Sequence, residues 1–180
     1  EQPAENPFLN NFYRNPSQTA LATQLFFLFQ RMQQSQDLIQ RSLFENVRVA
    51  DFIIEKDRLF AEVTLSPEEM HLYDKVYEHI TIDAPSPDLV IYLQAPIEIL
   101  KERITKRGNI NEQYLTLEYL ERLNDAYSRF FLDYKDAPLL IINAADINLE
   151  SNEADYESLV SMIMSNPKGK NFINPQPSII

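Results

Sequence analysis

The chain has 180 residues, which suits a single domain with its own hydrophobic core. Its 44% hydrophobic and 24% charged residues are usual for a soluble globular protein, and the absence of cysteine excludes disulfides and thiolate metal sites and predicts a cytoplasmic location. The formal net charge of −11 argues against binding a nucleic-acid polymer, and no apolar run is long enough to predict a membrane span.

The first forty residues predict a loop followed by a long helix. Glu1 to Asn15 is rich in Pro and Asn, and because the sequence does not begin with Met, we expect it to be part of a longer protein. From Pro16 to Gln40 apolar residues recur at helical spacing. Gln24 and Arg31 lie seven residues apart in this helix and therefore share roughly one face.

The next segment predicts a strand and then a second helix. Residues Val47 to Ile54 have strand character and contain Asp51, in a position where open α/β sheets place ligands. Ser66 is followed by Pro67 and, three residues after Ser66, by Glu69, which predicts a capping box. The helix that Ser66 begins should run to about residue 79.

A second predicted strand leads into a basic helix. Residues 89–93 form an unbroken apolar β-forming run, and Pro96 stands where a helix starts. Arg103 and Arg107 lie one turn apart on that helix, and Gly108 supplies a hinge or a helix stop. The basic residues either complement the negative end of the helix dipole in a solvated last turn, or bind a phosphate through their guanidinium groups.

The last third repeats the alternation of helix and strand. Helices are predicted over Thr116 to Tyr134 and Asp155 to Met164, with an apolar strand over Pro138 to Asn143 between them. Near-continuous apolar strands separated by helices predict an α/β fold with a parallel sheet. We expect one domain over residues 1–165 and a flexible tail over 166–180, a segment rich in Pro and Gly.

Several blocks of sequence, in their order and spacing, resemble the deoxynucleoside kinases, and in particular their bacterial deoxyguanosine and deoxyadenosine kinase branch. The resemblance covers Glu1 to about Asn148 and is carried by ENPFLNNFY (5–13), TQLFFLFQR (23–31), ADFIIEKDRLFA (50–61), PDLVIYLQAP (87–96) and YLTLEYLERLNDAY (114–127). It implies a P-loop kinase-like parallel sheet wrapped by helices, and a homodimer. It also implies transfer of the ATP γ-phosphoryl group, with Mg²⁺, to the 5′-hydroxyl of a deoxynucleoside, with purine deoxynucleosides favoured.

The resemblance also implies a substrate site. Tyr13 and Glu112 match the residues that hold the deoxyribose 3′-hydroxyl. Gln24 matches the glutamine that makes a bidentate contact to the base, because its amide offers both a donor and an acceptor, and Arg31 follows it two turns later. Phe60 matches an aromatic residue that stacks on the base, although plain core packing explains it nearly as well.

The catalytic and metal positions follow from the same resemblance. Arg103 and Arg107 match lid arginines that bind the transferring phosphate and ATP. Glu1 is the candidate general base, although related enzymes place this acid before the Pro, where this chain has Gln2. Asp51 stands in place of the family's Glu-Arg-Ser motif and is expected to hold Mg²⁺ directly or through water, or to contact substrate.

One family feature is missing from this sequence. The chain has only two glycines, Gly108 and Gly169, and neither belongs to a phosphate loop of the form GxxxxGK[ST]. We therefore expect residues 1–180 alone to be inactive in phosphoryl transfer. Two alternatives stay open: a non-catalytic nucleoside-binding or dimerisation module derived from such a kinase, or a scaffold whose aromatic helical segments 25–29 and 127–131 form a protein interface.

Overall fold

The computed structural model describes residues 2–40, 47–81, 85–145 and 152–174. The chain divides into two compact units, of which the first comprises Glu1–Pro85 and Asn109–Ser128 and the second comprises Ser86–Gly108 and Arg129–Ile180. In the described residues the first unit is built of helices, whereas the second contains the sheet. No helix in these ranges combines the length and the apolar character that crossing a bilayer requires.

Within the described ranges the first unit contains four complete helices, two 3-10 turns and the start of a longer helix. They are the turn Pro3–Glu5, α1 (Leu9–Arg14), α2 (Pro16–Gln40), α3 (Glu55–Thr64), α4 (Pro67–Ile80), the turn Ile110–Tyr114 and the first part of α6 (Leu117–Asp133). The capping box is confirmed, since the Ser66 hydroxyl accepts from the Glu69 N–H and the Glu69 carboxylate accepts from the Ser66 N–H. The buried core joins α2, α3 and α4 through Leu28, Met32, Ile54, Ala61 and Tyr73.

The second unit is a three-stranded parallel sheet with its helices. Its elements are β1 (Val90–Gln94), α5 (Ile97–Arg107), the end of α6, β2 (Leu139–Asn143), α7 (Glu153–Met164) and β3 (Lys170–Ile173). The strand order is β1-β2-β3, with Val90 paired to Leu139 and Leu139 to Lys170. Because β2 is central, its residues 139–142 are all buried, as the apolar run predicts. The parallel α/β class is therefore confirmed.

Two predictions about local structure are wrong. Residues 47–54 form no strand, and a helix, α3, begins directly after them at Glu55. A strand must satisfy its backbone groups through a neighbour, and the described sheet offers none to this segment, where Val49 is 89% exposed. Residues 9–14 also form a helix rather than a loop, because the Asn6 side chain accepts from the Phe8 N–H (3.0 Å) and orders the turn before it.

Two features of the second unit bear on the predicted boundaries. Gly108 adopts the left-handed conformation (φ 67°) and its N–H bonds to the carbonyl oxygens of Ile104 and Thr105, so it ends α5 as a helix stop. Strand β3 falls inside residues 166–180, the segment for which the sequence predicts a tail. The domain boundary itself stays a prediction.

Candidate functional site

A cavity of about 140 Å³ lies in the first unit, among helices α1, α2, α3 and α6. Sites that enclose a whole drug-sized ligand usually measure about 300–1,000 Å³, so this cavity encloses only part of a nucleoside-sized molecule. The sequence singles out four of its lining residues as substrate contacts. These are Tyr13, Gln24, Arg31 and Phe60.

Gln24 presents a buried amide whose orientation is set by a neighbouring hydroxyl. Its side chain is 3% exposed, and its Nε2 donates to the Thr64 hydroxyl at 3.2 Å. Thr64 donates its own hydrogen to the Phe60 carbonyl at 2.8 Å, and a hydroxyl that already donates can only accept from the amide. The nitrogen of Gln24 must therefore face Thr64, which leaves Oε1 and the second N–H available to a ligand.

Arg31 is buried beside Gln24 and forms an ion pair with Asp57 of α3. The exposed fractions of the two side chains are 5% and 0%, so the pair is shielded from water. The Arg31 guanidinium also lies over the Phe27 ring, 5.2 Å from its centroid. Because the carboxylate and the ring hold the guanidinium from two sides, Arg31 forms a fixed wall of the cavity.

Tyr13 lies on α1, where aromatic packing fixes the wall of the cavity. The Phe12 ring contacts Tyr13 (5.8 Å between centroids) and meets Tyr119 of α6 edge to face at 6.3 Å. Burial raises the pKa of Tyr119, and the nearby Tyr13 adds to this effect, so Tyr119 stays a neutral phenol. Both phenols border the cavity and carry hydroxyl groups that suit a sugar or a base.

Glu112 lies on the 3-10 turn that packs against α1, the helix of Tyr13. In this region the Arg14 guanidinium lies 5.4 Å from the centre of the Tyr114 ring. The Asn109 amide donates to the Glu112 carboxylate at 3.4 Å. The structure thus brings Glu112 and Tyr13 onto adjoining elements, although Glu112 does not itself line the described cavity wall.

Phe60 and Lys56 form the α3 side of the cavity. The Phe60 ring packs edge to face on Tyr127 (6.0 Å, 89°), which fixes its plane, and the Lys56 ammonium lies 5.8 Å from its centroid. A ring that is packed on its edge and borders a cavity can stack on a flat ligand. Lys56 adds a cation at the same wall, which the sequence analysis did not single out.

The two arginines assigned to the lid belong to the second unit, on α5. The Arg103 guanidinium donates to the Ala144 carbonyl at 2.6 Å and so ties α5 to the end of β2. Arg107 is exposed in the last turn of the helix. The two side chains stand one turn apart on α5, as predicted, and their role toward a phosphate stays a prediction.

The predicted metal and general-base positions lie away from this cavity or outside the described residues. Asp51 is exposed and borders a shallow hollow of about 420 Å³ together with Asp37, Ala50 and Phe52. Within the described ranges no cluster of three or more His, Asp or Glu side chains could hold a metal ion. Glu1 lies outside the described residues.

Besides Lys56 and Tyr119, sequence reasoning missed Asp57, Thr64 and Thr23. Asp57 and Thr64 lie on α3, which was not predicted as a helix. A buried aspartate within reach of a buried arginine is a signal, but the two are 26 positions apart in sequence, so only the fold brings them together. Thr23 directly precedes Gln24 and could have been noticed from its place on the same helix.

Comparison of the sequence with known proteins gives a consistent result. The sequence model described as deoxynucleoside kinase matches residues 1–166. A deoxyguanosine kinase of Bacillus subtilis is 32% identical over 164 residues, which cover 88% of this chain and 79% of that protein. A deoxyadenosine kinase of Dictyostelium discoideum is 29% identical over 180 residues, covering 97% of this chain and 70% of the relative.

A solved structure shares the fold. Deoxyadenosine kinase from M. mycoides with bound dATP matches with a TM-score of 0.74 and 25% identity, over 89% of this chain and 82% of that one. The same enzyme with bound dCTP matches with a TM-score of 0.76 and 23% identity, over 92% and 84% of the two chains. The second match, at this identity, bears on the fold alone.

Proposed function

Because this chain belongs to the deoxynucleoside kinase family, we propose that it binds a purine deoxynucleoside and that the protein transfers the γ-phosphoryl group of ATP to the 5′-hydroxyl. The observation that carries this proposal is the cavity that joins Tyr13, Gln24, Arg31 and Phe60. A buried amide beside an aromatic ring suits the edge and face of a nucleobase. The purine preference is supported by relatives named deoxyguanosine and deoxyadenosine kinases.

The base occupies the cavity, and the sugar lies at its mouth. Gln24 offers an acceptor and a donor to the base edge, and Phe60 stacks on the base face. Tyr13 and Glu112 hold the 3′-hydroxyl, which the packing of α1 on the turn 110–114 supports. Such contacts position the 5′-hydroxyl for in-line attack, and positioning is the main contribution that phosphoryl transfer requires of the protein.

Charge stabilisation falls to Arg103 and Arg107, whose guanidinium groups can bind the transferring phosphate and ATP through paired hydrogen bonds. Bound ATP with Mg²⁺ supplies the phosphoryl group and offsets the charge of its phosphates. Asp51 is a compatible single ligand, because Mg²⁺ is usually held by one or two carboxylates together with phosphates and water. Glu1 is the proposed general base that accepts the 5′-hydroxyl proton.

The remaining expectations belong to the same proposal. The kinase domain spans residues 1–165, supported by the family match over 1–166. Residues 166–180 follow it, and the predicted tail is here interrupted by strand β3, which pairs with β2. The protein is a cytoplasmic homodimer that acts in nucleotide salvage. Since residues 1–180 contain no phosphate loop, these residues alone bind nucleoside but do not transfer phosphate.

The test separates binding from catalysis. Calorimetric titration of the 180-residue chain with each deoxynucleoside measures binding. A coupled ATP-consumption assay on a form extended upstream to include a phosphate loop, called the loop-carrying protein, measures transfer. Gln24→Ala should weaken nucleoside binding between about fivefold and about a hundredfold, because two hydrogen bonds to the base are lost. Gln18→Ala, on the exposed side of α2, is the matched control and should bind as the unmodified chain does.

Two results would contradict the proposal. If none of the four deoxynucleosides binds, the proposal that the cavity is a nucleoside site is wrong. Binding without phosphoryl transfer in the loop-carrying protein would favour the non-catalytic nucleoside-binding module over the kinase.

A further inference from the structure

Thr23 borders the cavity, and its hydroxyl is buried without a hydrogen-bond partner in the described part of the chain. Thr23 is 1% exposed, so little of the residue faces bulk solvent. Its main-chain carbonyl accepts from the Asn6 side chain at 3.2 Å, which ties this point of α2 to the segment before α1. The residue is therefore well fixed, while its hydroxyl is left unsatisfied.

A helical threonine usually has a partner for its hydroxyl. In the described chain Thr19 and Thr23 lack one, and of these two Thr23 alone borders the cavity. A threonine inside a helix commonly donates to the carbonyl four residues earlier. Thr64 does so to Phe60 at 2.8 Å, and Thr105 does so to Lys101 at 2.9 Å. An unsatisfied buried hydroxyl destabilises a protein, so a group of this kind that borders a cavity points to a ligand as its partner.

We propose that Thr23 contacts the substrate and helps to determine specificity, its hydroxyl forming a hydrogen bond with the base of the bound deoxynucleoside beside the contact of Gln24. This inference rests on the proposed function. Thr23, Phe27 and Arg31 follow one another at intervals of four along α2 and all border the cavity, so they line one row of its wall next to Gln24. This row adjoins the amide that reads the base, whereas Tyr13 on α1 serves the sugar.

The donor and acceptor capacity of the Thr23 hydroxyl determines which groups of a base it can bind. A hydroxyl donates one hydrogen and accepts through its lone pairs, so it can pair with a ring nitrogen, an exocyclic carbonyl or an exocyclic amino group. Together with Gln24 it would give the base a third polar contact. Bases that leave the Thr23 hydroxyl unpaired are then selected against.

Three variants test the proposal by calorimetric titration of the chain with the deoxynucleoside that binds it best. Thr23→Val keeps the side-chain shape and removes the hydroxyl, and should weaken binding roughly five- to tenfold. Thr23→Ser restores the hydroxyl and should bind within about twofold of the unmodified chain. Thr19→Val is the matched control, since the Thr19 hydroxyl is also buried and unpartnered in the described chain but does not border the cavity.

Thermal unfolding separates a ligand contact from a structural role. Because Thr23→Val replaces an unsatisfied hydroxyl with a methyl group, its unliganded midpoint should equal or exceed that of the unmodified chain. A variant that loses binding and also unfolds at a lower temperature would overturn the proposal. Equal losses of binding in Thr23→Val and Thr19→Val would also overturn it.

A sugar-free ligand identifies the part of the nucleoside involved. The 9-methyl derivative of the preferred base keeps the base edge and lacks the deoxyribose, and its affinity is followed by NMR titration. The loss caused by Thr23→Val should persist for this ligand; if it disappears, the hydroxyl contacts the sugar and the proposal is wrong. Two outcomes distinguish the proposed function from the Thr23 inference. If the unmodified chain binds no nucleoside, the proposed function is wrong. If Gln24→Ala loses nucleoside binding and Thr23→Val does not, only the inference about Thr23 is wrong.

Discussion

The Arg31–Asp57 pair gives a sharp prediction about stability. Asp57→Asn keeps the volume of the side chain and removes its charge, so the buried Arg31 guanidinium loses the Asp57 carboxylate. The two side chains are 5% and 0% exposed, and removing one partner of so buried a pair costs about 3–5 kcal/mol of unfolding free energy. Urea unfolding measures this loss as a lower midpoint at an unchanged slope.

The chain provides its own control for this experiment. Arg58 and Glu62 form an ion pair at 45% and 48% exposure, also between helical residues. Glu62→Gln removes the same kind of charge and should cost less than about 1 kcal/mol, because water screens an exposed pair. If Asp57→Asn costs no more than Glu62→Gln, burial does not govern the Arg31–Asp57 pair and our reasoning is refuted.

Three further predictions concern the site and the core. Thr64→Val should free the Gln24 amide to rotate and weaken nucleoside binding by roughly two- to tenfold, whereas Thr64→Ser should not. Equal nucleoside affinities of the two variants would refute the claim that the Thr64 hydroxyl orients the Gln24 amide. Arg107→Ala should slow phosphoryl transfer in the loop-carrying protein far more than it weakens nucleoside binding, with Lys106→Ala as the control. Equal losses of transfer rate and of nucleoside affinity would indicate a structural role for Arg107. Burial raises the pKa of Tyr77 to about 12 in the folded chain. Because the unfolded phenol ionises first, the free energy of unfolding should fall as pH rises from about 10 to about 12. Tyr77→Phe should reduce that fall, measured by urea unfolding at each pH.

The parts of the fold that the sequence predicted well are those specified by local patterns. Helix α2 runs over Pro16–Gln40 as predicted, because apolar residues recur at helical spacing from Leu21 to Met32. The Ser66 capping box and the helix stop at Gly108 could be predicted from the sequence because each involves residues at most four positions apart. Strand β2 could be predicted from its unbroken apolar sequence because a central parallel strand is apolar on both faces.

The parts that were missed depend on distant contacts. Asp57 is a charged residue in the core, and pattern reasoning places such a residue on the surface unless its partner Arg31 is known. Residues 47–54 have β-forming composition, yet composition cannot say whether a neighbouring strand exists. Strand β3 is only four residues long and owes its conformation to pairing with β2 rather than to its own sequence.

The edge position of β1 has a practical consequence for all of these measurements. In the described sheet β1 pairs with β2 alone, and Ile91 and Leu93 of β1 are exposed on one face of the strand. An open strand edge of apolar character is a template for addition of another strand, including one from a second copy of the chain. Titrations of the 180-residue chain should therefore be repeated over a range of protein concentrations with light scattering, so that self-association is not mistaken for a loss of ligand affinity.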